Sequence, residues 1–421
     1  MILDSKIAVI GLGYVGLPLS IEFAKYFDVL GFDIDSNRVD ELKRLEDKTD
    51  EANLKELDMV LNQKLKLSAQ EKDLHGYNVY IITVPTPITK SKTPDLSYLK
   101  AASSLVGKYI NKGDIVIYES TVYPGCTEED CVPVLEKSSG LKFNKDFYCG
   151  YSPERINPGD KINTLTKIKK VTSGSNPEIA HQVDQLYQKI IQAGTHKAPS
   201  IKVAEASKAI ENAQRDLNIS FVNELALIFD SIGIDTTDVI EAAATKWNFL
   251  NFKPGLVGGH CISVDPYYLA HKAESLGYYP EVILSGRRVN DNMGIFVANK
   301  VLKLMNQKGI TVRNAKVLIL GITFKENCPD IRNSKVPDIF NELKSFGMDP
   351  SIYDPFAKNE EVKKEFGIDL IDKTQKYDAI VLAVAHNKFL TMDVANLKNN
   401  QKSIVFDLKS VLGLDQIDAR L

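Results

Sequence analysis

The chain has no Cys-x-x-Cys pair, no basic tract, no apolar run of membrane-spanning length and no short-period repeat. Each absence excludes something. Five cysteines are present, Cys126, Cys131, Cys149, Cys261 and Cys328, an odd number at irregular spacings. Neither a disulfide framework nor a zinc site fits that pattern, so five reduced thiols, most of them buried, are expected. The net charge of -3 and the lack of a basic tract argue against a nucleic-acid partner. The clearest apolar runs, such as residues 379–385, fall far below the ~20 residues of a membrane span, so no membrane partner is expected. Met1-Ile2-Leu3-Asp4-Ser5-Lys6 runs straight into a strand pattern without signal-peptide architecture, and the expected compartment is the cytoplasm.

What is present is a long, mixed chain. At 421 residues it exceeds one ordinary core, and two or three domains are expected. In the first half, short apolar runs alternate with amphipathic stretches. Residues 6–10, 29–33, 79–84 and 115–118 read as strands, and residues 17–26 as a helix. The later strands are rich in β-branched residues, as buried parallel strands are. Such alternation implies βαβ units and a doubly wound sheet.

Near Ser200 the pattern changes. No Gly or Pro occurs in residues 201–232, and apolar residues recur at helical spacing. One helix over that stretch would be on the order of 45 Å long, suited to link domains or build a subunit interface. Two shorter helices with an unmarked break are the alternative. A second α/β unit starts near Ala315, with strands over residues 316–320, 349–353, 379–385 and 403–407. It has no Gly-x-Gly-x-x-Gly, so a ligand other than a dinucleotide is expected there. The expected fold class is therefore α/β, with two Rossmann-like doubly wound domains joined by a long central helix. The expected domains are 1–200, 201–305 and 306–421.

Gly11-Leu12-Gly13-Tyr14-Val15-Gly16 joins the first strand to the first helix. Such glycines allow a tight turn, close backbone approach to a pyrophosphate and close helix packing, while the helix N-terminus offers free amides to phosphate. Asp33 ends the next strand. A carboxylate there accepts from ribose hydroxyls and repels a 2′-phosphate, which favours NAD over NADP. Thr86 and Thr121 follow two further strands, where carboxyl ends line a ligand crevice. They are candidate cofactor contacts, or simple loop caps.

Three segments carry candidate chemistry. In Ser152-Pro153-Glu154-Arg155-Ile156-Asn157-Pro158-Gly159, Glu154 is a candidate general base and Arg155 an anion ligand; an exposed ion-pairing loop is the alternative. Lys208, Asn212 and Arg215 share a helix face, either around an oxyanion or sugar hydroxyls, or as a solvated charged surface. Cys261 stands in Gly258-Gly259-His260-Cys261, four residues before Asp265. Two glycines let backbone approach a ligand closely. A thiolate adds to an aldehyde to give a thiohemiacetal; hydride loss gives a thioester, which water cleaves. A buried inert cysteine in a Gly-rich turn is the alternative.

In this order, together with Gly321-Ile322-Thr323-Phe324-Lys325, these segments resemble the UDP-glucose/GDP-mannose dehydrogenase family along nearly the whole chain. Thr245-Lys246-Trp247-Asn248-Phe249-Leu250 and the Glu154–Gly159 run are most similar to its UDP-N-acetylhexosamine 6-dehydrogenases of bacterial surface-polysaccharide synthesis. The resemblance implies an NAD-binding domain, a central helical dimerisation region and a C-terminal UDP-sugar domain. It implies two NAD consumed per UDP-N-acetylhexosamine oxidised to its uronate, and a homodimer. On this resemblance Cys261 is the nucleophile, Lys208 and Asn212 stabilise the alkoxide or thiohemiacetal oxygen, Glu154 activates water, and Asp265 assists proton handling. Thr121 counts with both the catalytic and the cofactor residues. Gly11, Gly13, Tyr14, Val15, Gly16, Asp33, Arg38, Thr86 and Arg332 match the cofactor set. Arg155, Ile156, Arg215, Gly258, Phe324, Lys325 and Lys409 match the substrate set, with Lys208 and Asn212.

One departure stands out. UDP-glucose enzymes of the family carry a second acidic residue four positions after the first Glu, and here that position is Pro158. This disfavours UDP-glucose and suggests room for a bulkier 2-substituent. UDP-glucose and UDP-N-acetylmannosamine remain alternative substrates. A two-electron 3-hydroxyacid dehydrogenase and an NAD-sensing binding protein are the rival classes.

Overall fold

The computed structural model describes residues 5–49, 52–89, 91–156 and 162–421. The chain divides into two compact units. One comprises Met1–Glu211 with Tyr267–Tyr278, the other Asn212–Pro266 with Tyr279–Leu421.

The first unit is built on eight strands: β1 (Lys6–Ile10), β2 (Asp28–Phe32), β3 (Leu65–Ser68), β4 (Val79–Ile82), β5 (Ile115–Tyr118), β6 (Tyr148–Tyr151), β7 (Lys170–Gly174) and β8 (Thr195–Lys197). Their order is β3-β2-β1-β4-β5-β6-β7-β8. Pairing is parallel throughout except between β6 and β7. The inner strands are apolar on both faces because helices cover both. Ile7 and Val9 of β1 pack with Leu17 and Ile21 of the helix Gly16–Ala24 and with Val183 and Tyr187 of the helix Pro177–Gln188. Strand order reverses between β1 and β4, and at such a reversal the carboxyl ends of strands open a ligand crevice. β4 is shorter than expected. The Thr83 amide makes the last ladder bond, to the Ile10 carbonyl (2.9 Å), and its Oγ1 donates to the carbonyls of Ile10 (3.0 Å) and Gly11 (2.8 Å).

The second unit carries β9 (Lys316–Leu320), β10 (Asp349–Tyr353), β11 (Ala379–Leu382), β12 (Ile404–Asp407) and β13 (Ala419–Arg420), in the order β10-β9-β11-β12-β13 and all parallel. This is the other common doubly wound order, with its reversal between β9 and β11. Val317 and Ile319 pack on Met293, Val297 and Val301 of the helix Glu281–Gln307. β11 also stops early, at Leu382. The amides of Ala383 and Val384 both turn onto the Leu320 carbonyl, which bends the chain out of the sheet.

The helix Ile201–Ile232, hereafter the central helix, is unbroken. Its residues up to Glu211 belong to the first unit and those from Asn212 to the second. Glu205, Lys208, Asn212, Asp216 and Asn223 are buried on it at three-, four- and seven-residue steps, one face of a helix.

Gly16 shows how tightly the first turn is made. A Cβ there would stand 1.8 Å from the Gly11 carbonyl oxygen and 2.4 Å from Thr83 Oγ1. Gly16→Ala should therefore cost about 3 kcal/mol or more, the upper range for overpacking. A thermal melt should fall by roughly 6 °C or more, or the protein should fail to fold. A melt unchanged from wild type would show that the turn yields without cost.

Candidate active site

The reversal point of the first sheet collects the expected cofactor residues. Gly13 is exposed, and nothing stands within 4 Å of where its Cβ would be. The space above the turn is thus open, as close approach of a pyrophosphate requires. Tyr14 and Val15 follow, half-buried, at the start of the helix Gly16–Ala24. Asp33 accepts from the Leu12 amide through Oδ2 (2.8 Å) and from the Asp35 amide through Oδ1 (3.0 Å). It is half-buried beside the turn, placed for a ribose diol. Thr86 donates to the Thr121 carbonyl (2.7 Å), so the two loops expected to flank the cofactor are joined. These residues fit NAD, which would supply a hydride acceptor here.

Arg38 is differently occupied. Its Nε donates to the Leu12 carbonyl (2.9 Å), and its guanidinium pairs with Glu41 (2.8 Å) and Asp47 (2.7 Å). Its bonds shown here brace the turn from behind. Arg332, in the second unit, is paired with Asp330 through Nε (2.9 and 3.0 Å) and Nη2 (2.5 Å).

Glu154 follows β6 and is buried, so it is not part of an exposed loop. Its Oε1 accepts from the amides of Arg155 and Ile156, both at 2.5 Å, and its Oε2 lies 3.4 Å from Lys170 Nζ. Arg155 pairs with Glu211 at 2.5 Å and donates to the Lys169 carbonyl at 2.9 Å; Ile156 is half-buried. Asn157, Pro158 and Gly159 lie outside the described residues. Lys208 is buried on the central helix, one turn before Asn212. Arg215, expected on the same face, is exposed.

In the second unit, Asn212 Nδ2 donates to Asp265 Oδ2 at 2.5 Å, and both residues are buried. Asp265 opens the helix Asp265–Ser275, and its amide and that of Val264 donate to the Cys261 carbonyl (2.8 and 3.0 Å). Cys261 thus sits just before a helix N-terminus, tied to it through its carbonyl. All five cysteines are described; four are buried and Cys261 is half-buried. Gly259 has φ +84°, and a Cβ would meet the Phe324 ring at 2.9 Å. The Gly259 amide donates to Arg332 O (3.1 Å), and its carbonyl accepts from Asn333 Nδ2 (3.0 Å) and Ser263 Oγ (2.5 Å). The cysteine loop is therefore pinned on both sides.

Next to that loop, at the reversal of the second sheet, is a cleft lined by Gly258, Thr323, Phe324, Lys335, Val384 and Lys409, among others. It gathers three expected substrate residues, Gly258, Phe324 and Lys409. Lys325, half-buried in the same segment, is not in that lining. The second unit also repeats a device of the first. Asp354, after β10, accepts from the amides of Ile322 (2.7 Å) and Thr323 (3.3 Å), as Asp33 accepts from Leu12. Here, however, the carboxylate is buried under His386, whose Nε2 lies 3.1 Å from Oδ2. Burial works to raise the Asp354 carboxyl, but hydrogen bonds from His386 and Ile322 outweigh it and hold it below the usual range.

The sequence reading passed over several residues. Lys170 contacts both Glu119 and Glu154 inside the first unit. Glu119 adjoins Thr121 in a loop already singled out. Lys170 heads a strand just after Lys167 and Lys169, and nothing in the sequence marks it as the buried one of the three.

An open Gly-rich turn at the reversal of a doubly wound sheet has the form of the NAD-binding domain of a dehydrogenase. Comparison narrows the class. Residues 5–191 match the NAD binding domain of the UDP-glucose/GDP-mannose dehydrogenase family, residues 202–292 its central domain and residues 318–414 its UDP binding domain. The chain belongs to this family. A UDP-N-acetyl-D-glucosamine 6-dehydrogenase of Pseudomonas aeruginosa is 56% identical, covering 99% of this chain and 100% of that one. Another, of Salmonella typhi, is 56% identical and covers 99% of each. The solved structure of a UDP-D-ManNAc dehydrogenase from Pyrococcus horikoshii matches with a TM-score of 0.86 at 30% identity, covering 99% of this chain and 98% of that one. No described helix is long and apolar enough to cross a membrane.

The open space at Gly13 can be tested directly. Gly13→Ala should melt within about 2 °C of wild type, as an exposed substitution does. Its NAD dissociation constant should nevertheless rise roughly tenfold or more, about 1.4 kcal/mol. Unchanged NAD binding by calorimetry would remove the turn from the cofactor site. Asp33→Ala should weaken NAD use and narrow the gap to NADP; equal use of both cofactors by the wild type would refute the role of Asp33.

Proposed function

We propose that this protein oxidises C6 of a UDP-N-acetylhexosamine, UDP-N-acetylglucosamine foremost, to the uronate, for surface polysaccharide synthesis. The observation that carries this reading is a half-buried Cys261 in a pinned Gly-Gly-His-Cys loop, on a chain 56% identical over its length to two UDP-N-acetyl-D-glucosamine 6-dehydrogenases. In this reading residues 1–200 bind NAD, 201–305 form the central region and 306–421 bind the UDP-sugar.

NAD supplies hydride acceptance, two molecules per sugar. The protein groups do the rest. In the first oxidation the C6 hydroxyl gives up its proton and C6 becomes an aldehyde. The Cys261 thiolate then adds to that carbon: a C–S bond forms, and the carbonyl π pair moves to oxygen. Lys208 and Asn212 stabilise this negative oxygen, with Asn212 oriented by Asp265 (2.5 Å). The second oxidation leaves a thioester on Cys261. Glu154 takes a proton from water as the water oxygen adds to the thioester carbonyl. The C–S bond breaks, and its pair returns to sulfur. Alcohol, water and two NAD⁺ thus yield carboxylate, two NADH and three protons. Thr121 and Asp265 assist proton movement, and Arg155, Ile156, Arg215, Gly258, Phe324, Lys325 and Lys409 bind the nucleotide sugar.

A cytoplasmic homodimer fits this reading. Val203, Ile210, Phe221, Ile228 and Ile232 are exposed along one face of the central helix, an apolar stripe suited to a second copy.

A panel of UDP-sugars scored for NADH tests the substrate. UDP-N-acetylglucosamine should give two NADH per sugar and exceed UDP-glucose in kcat/KM by roughly 10²-fold or more, because a pocket built for the acetamido group leaves polar groups unpaired without it. UDP-N-acetylmannosamine as the preferred substrate would instead align the protein with the Pyrococcus relative. Cys261→Ala should abolish uronate formation, and Cys261→Ser should leave at most a slow ester adduct. Near-normal uronate from Cys261→Ala would end the cysteine mechanism. Lys208→Ala should lower kcat by about 10²–10³-fold with a smaller change in KM. A raised KM alone would make Lys208 a binding residue.

A further inference from the structure

Behind Glu154 lies a buried charge cluster with no part in the steps above. Lys170 opens β7 and is 2% exposed; Glu119, just after β5, is fully buried. Lys170 Nζ lies 2.6 Å from Glu119 Oε2 and 3.4 Å from Glu154 Oε2. Tyr187, on the helix Pro177–Gln188, donates to the other oxygen of Glu119, and its ring lies 5.5 Å from the ammonium. Two carboxylates thus share one buried cation.

A buried ion pair is costly to desolvate and is weak support for stability. Its placement here suggests another use. The backbone holds Glu154 Oε1 through two amides, and Lys170 holds Oε2, so the carboxylate is fixed at both ends. We propose that Lys170 is a positioning residue for Glu154, holding its carboxylate aimed for thioester hydrolysis, and that Glu119 sets how much of the ammonium's charge Glu154 receives. This rests on the reading of Glu154 as the hydrolytic base.

The surrounding groups agree. Burial pushes the Glu119 carboxyl up to about 6 against the pull of Lys170, and the Glu154 charge adds to the rise. Burial works to lower Lys170, but Glu119 and Glu154 outweigh it and hold it above the ordinary lysine value, so the cation stays charged. Burial and Glu119 raise the Tyr187 phenol, which stays neutral. Asp184, on the Tyr187 helix, bonds Thr172 Oγ1 (2.7 Å) and Gln188 Nε2 (2.8 Å), and His196 and Lys197 of β8 are exposed. A cation beside a carboxylate favours its charged form, and a base must be ionised to accept the proton of water.

The test is the pH profile of uronate release from the Cys261 acyl intermediate, followed by rapid quench in the intact enzyme with UDP-N-acetylglucosamine and NAD. Lys170→Met should move the acid limb up by about one pH unit or more and slow release near that limb by roughly tenfold. Glu119→Gln should move the limb down, because Lys170 then serves Glu154 alone. Lys170→Arg should restore the wild-type profile. A merely structural role predicts no such opposed pair. If both variants leave the limb in place, or move it the same way, the inference fails. Should Lys170→Met not fold, the downward shift in Glu119→Gln supports the inference and its absence overturns it. Glu154→Gln is run alongside. Release at the wild-type rate there would overturn the reading of Glu154 itself, whereas slowed release with an unmoved limb in the other variants overturns Lys170 alone.

Discussion

The central helix buries polar side chains along one face, and four of them, Glu205, Asn212, Asp216 and Asn223, meet partners within their own units. Glu205 accepts from the amides of Gly125 (2.5 Å) and Thr127 (2.9 Å) within the first unit. In the second, Asn212 bonds Asp265, and Asp216 Oδ1 takes Arg287 (2.6 Å) and Asn290 (2.7 Å). Asn223 donates to the Gly255 carbonyl (3.0 Å) and accepts from its amide (2.8 Å), three residues before Gly258. A buried donor left without a partner costs about 1–3 kcal/mol, so these pairings fix the rotation of the helix about its axis. Asn212, proposed to hold the reacting oxygen, is thus placed by its bond to Asp265.

The sheets were legible because their signal is local. Runs such as Ile115-Val116-Ile117-Tyr118 have no polar face to offer, and parallel strands buried on both sides are what such runs become. The unbroken central helix was legible for the converse reason: no Gly or Pro interrupts it. Strand ends were less so. They depend on partners far away in the chain: Thr83 Oγ1 reaches the Gly11 carbonyl and the Val384 amide turns onto that of Leu320, and no window of sequence contains both partners.

The site shows the same division. Gly11, Gly13 and Gly16 lie in one segment and announce themselves, as does Cys261 between its glycines and Asp265. The Asn212–Asp265 bond joins positions 53 residues apart, and the Lys170–Glu119 pair positions 51 apart. Such pairs have no sequence signature. Arg38 shows a further limit: the resemblance gave it a cofactor role, but its three bonds to Leu12, Glu41 and Asp47, which brace the turn, could not be read from that match. Arg215 shares the helical register of Asn212 but is exposed, because spacing gives direction along a helix and not what stands opposite.

Asp33 and Asp354 occupy equivalent corners of two similar sheets, yet they differ in what they still have to give. Asp33 accepts one amide on each oxygen and is half-buried, so lone pairs remain for a sugar diol. Asp354 takes two amides and lies against His386 at Oδ2, and takes two further amides at Oδ1. Its acceptor capacity is spent. A chain with two nucleotide-type folds risks each fold admitting the other's ligand, with coenzyme and substrate competing for both. With its lone pairs occupied, Asp354 has none to offer a ribose diol of the kind Asp33 can still accept.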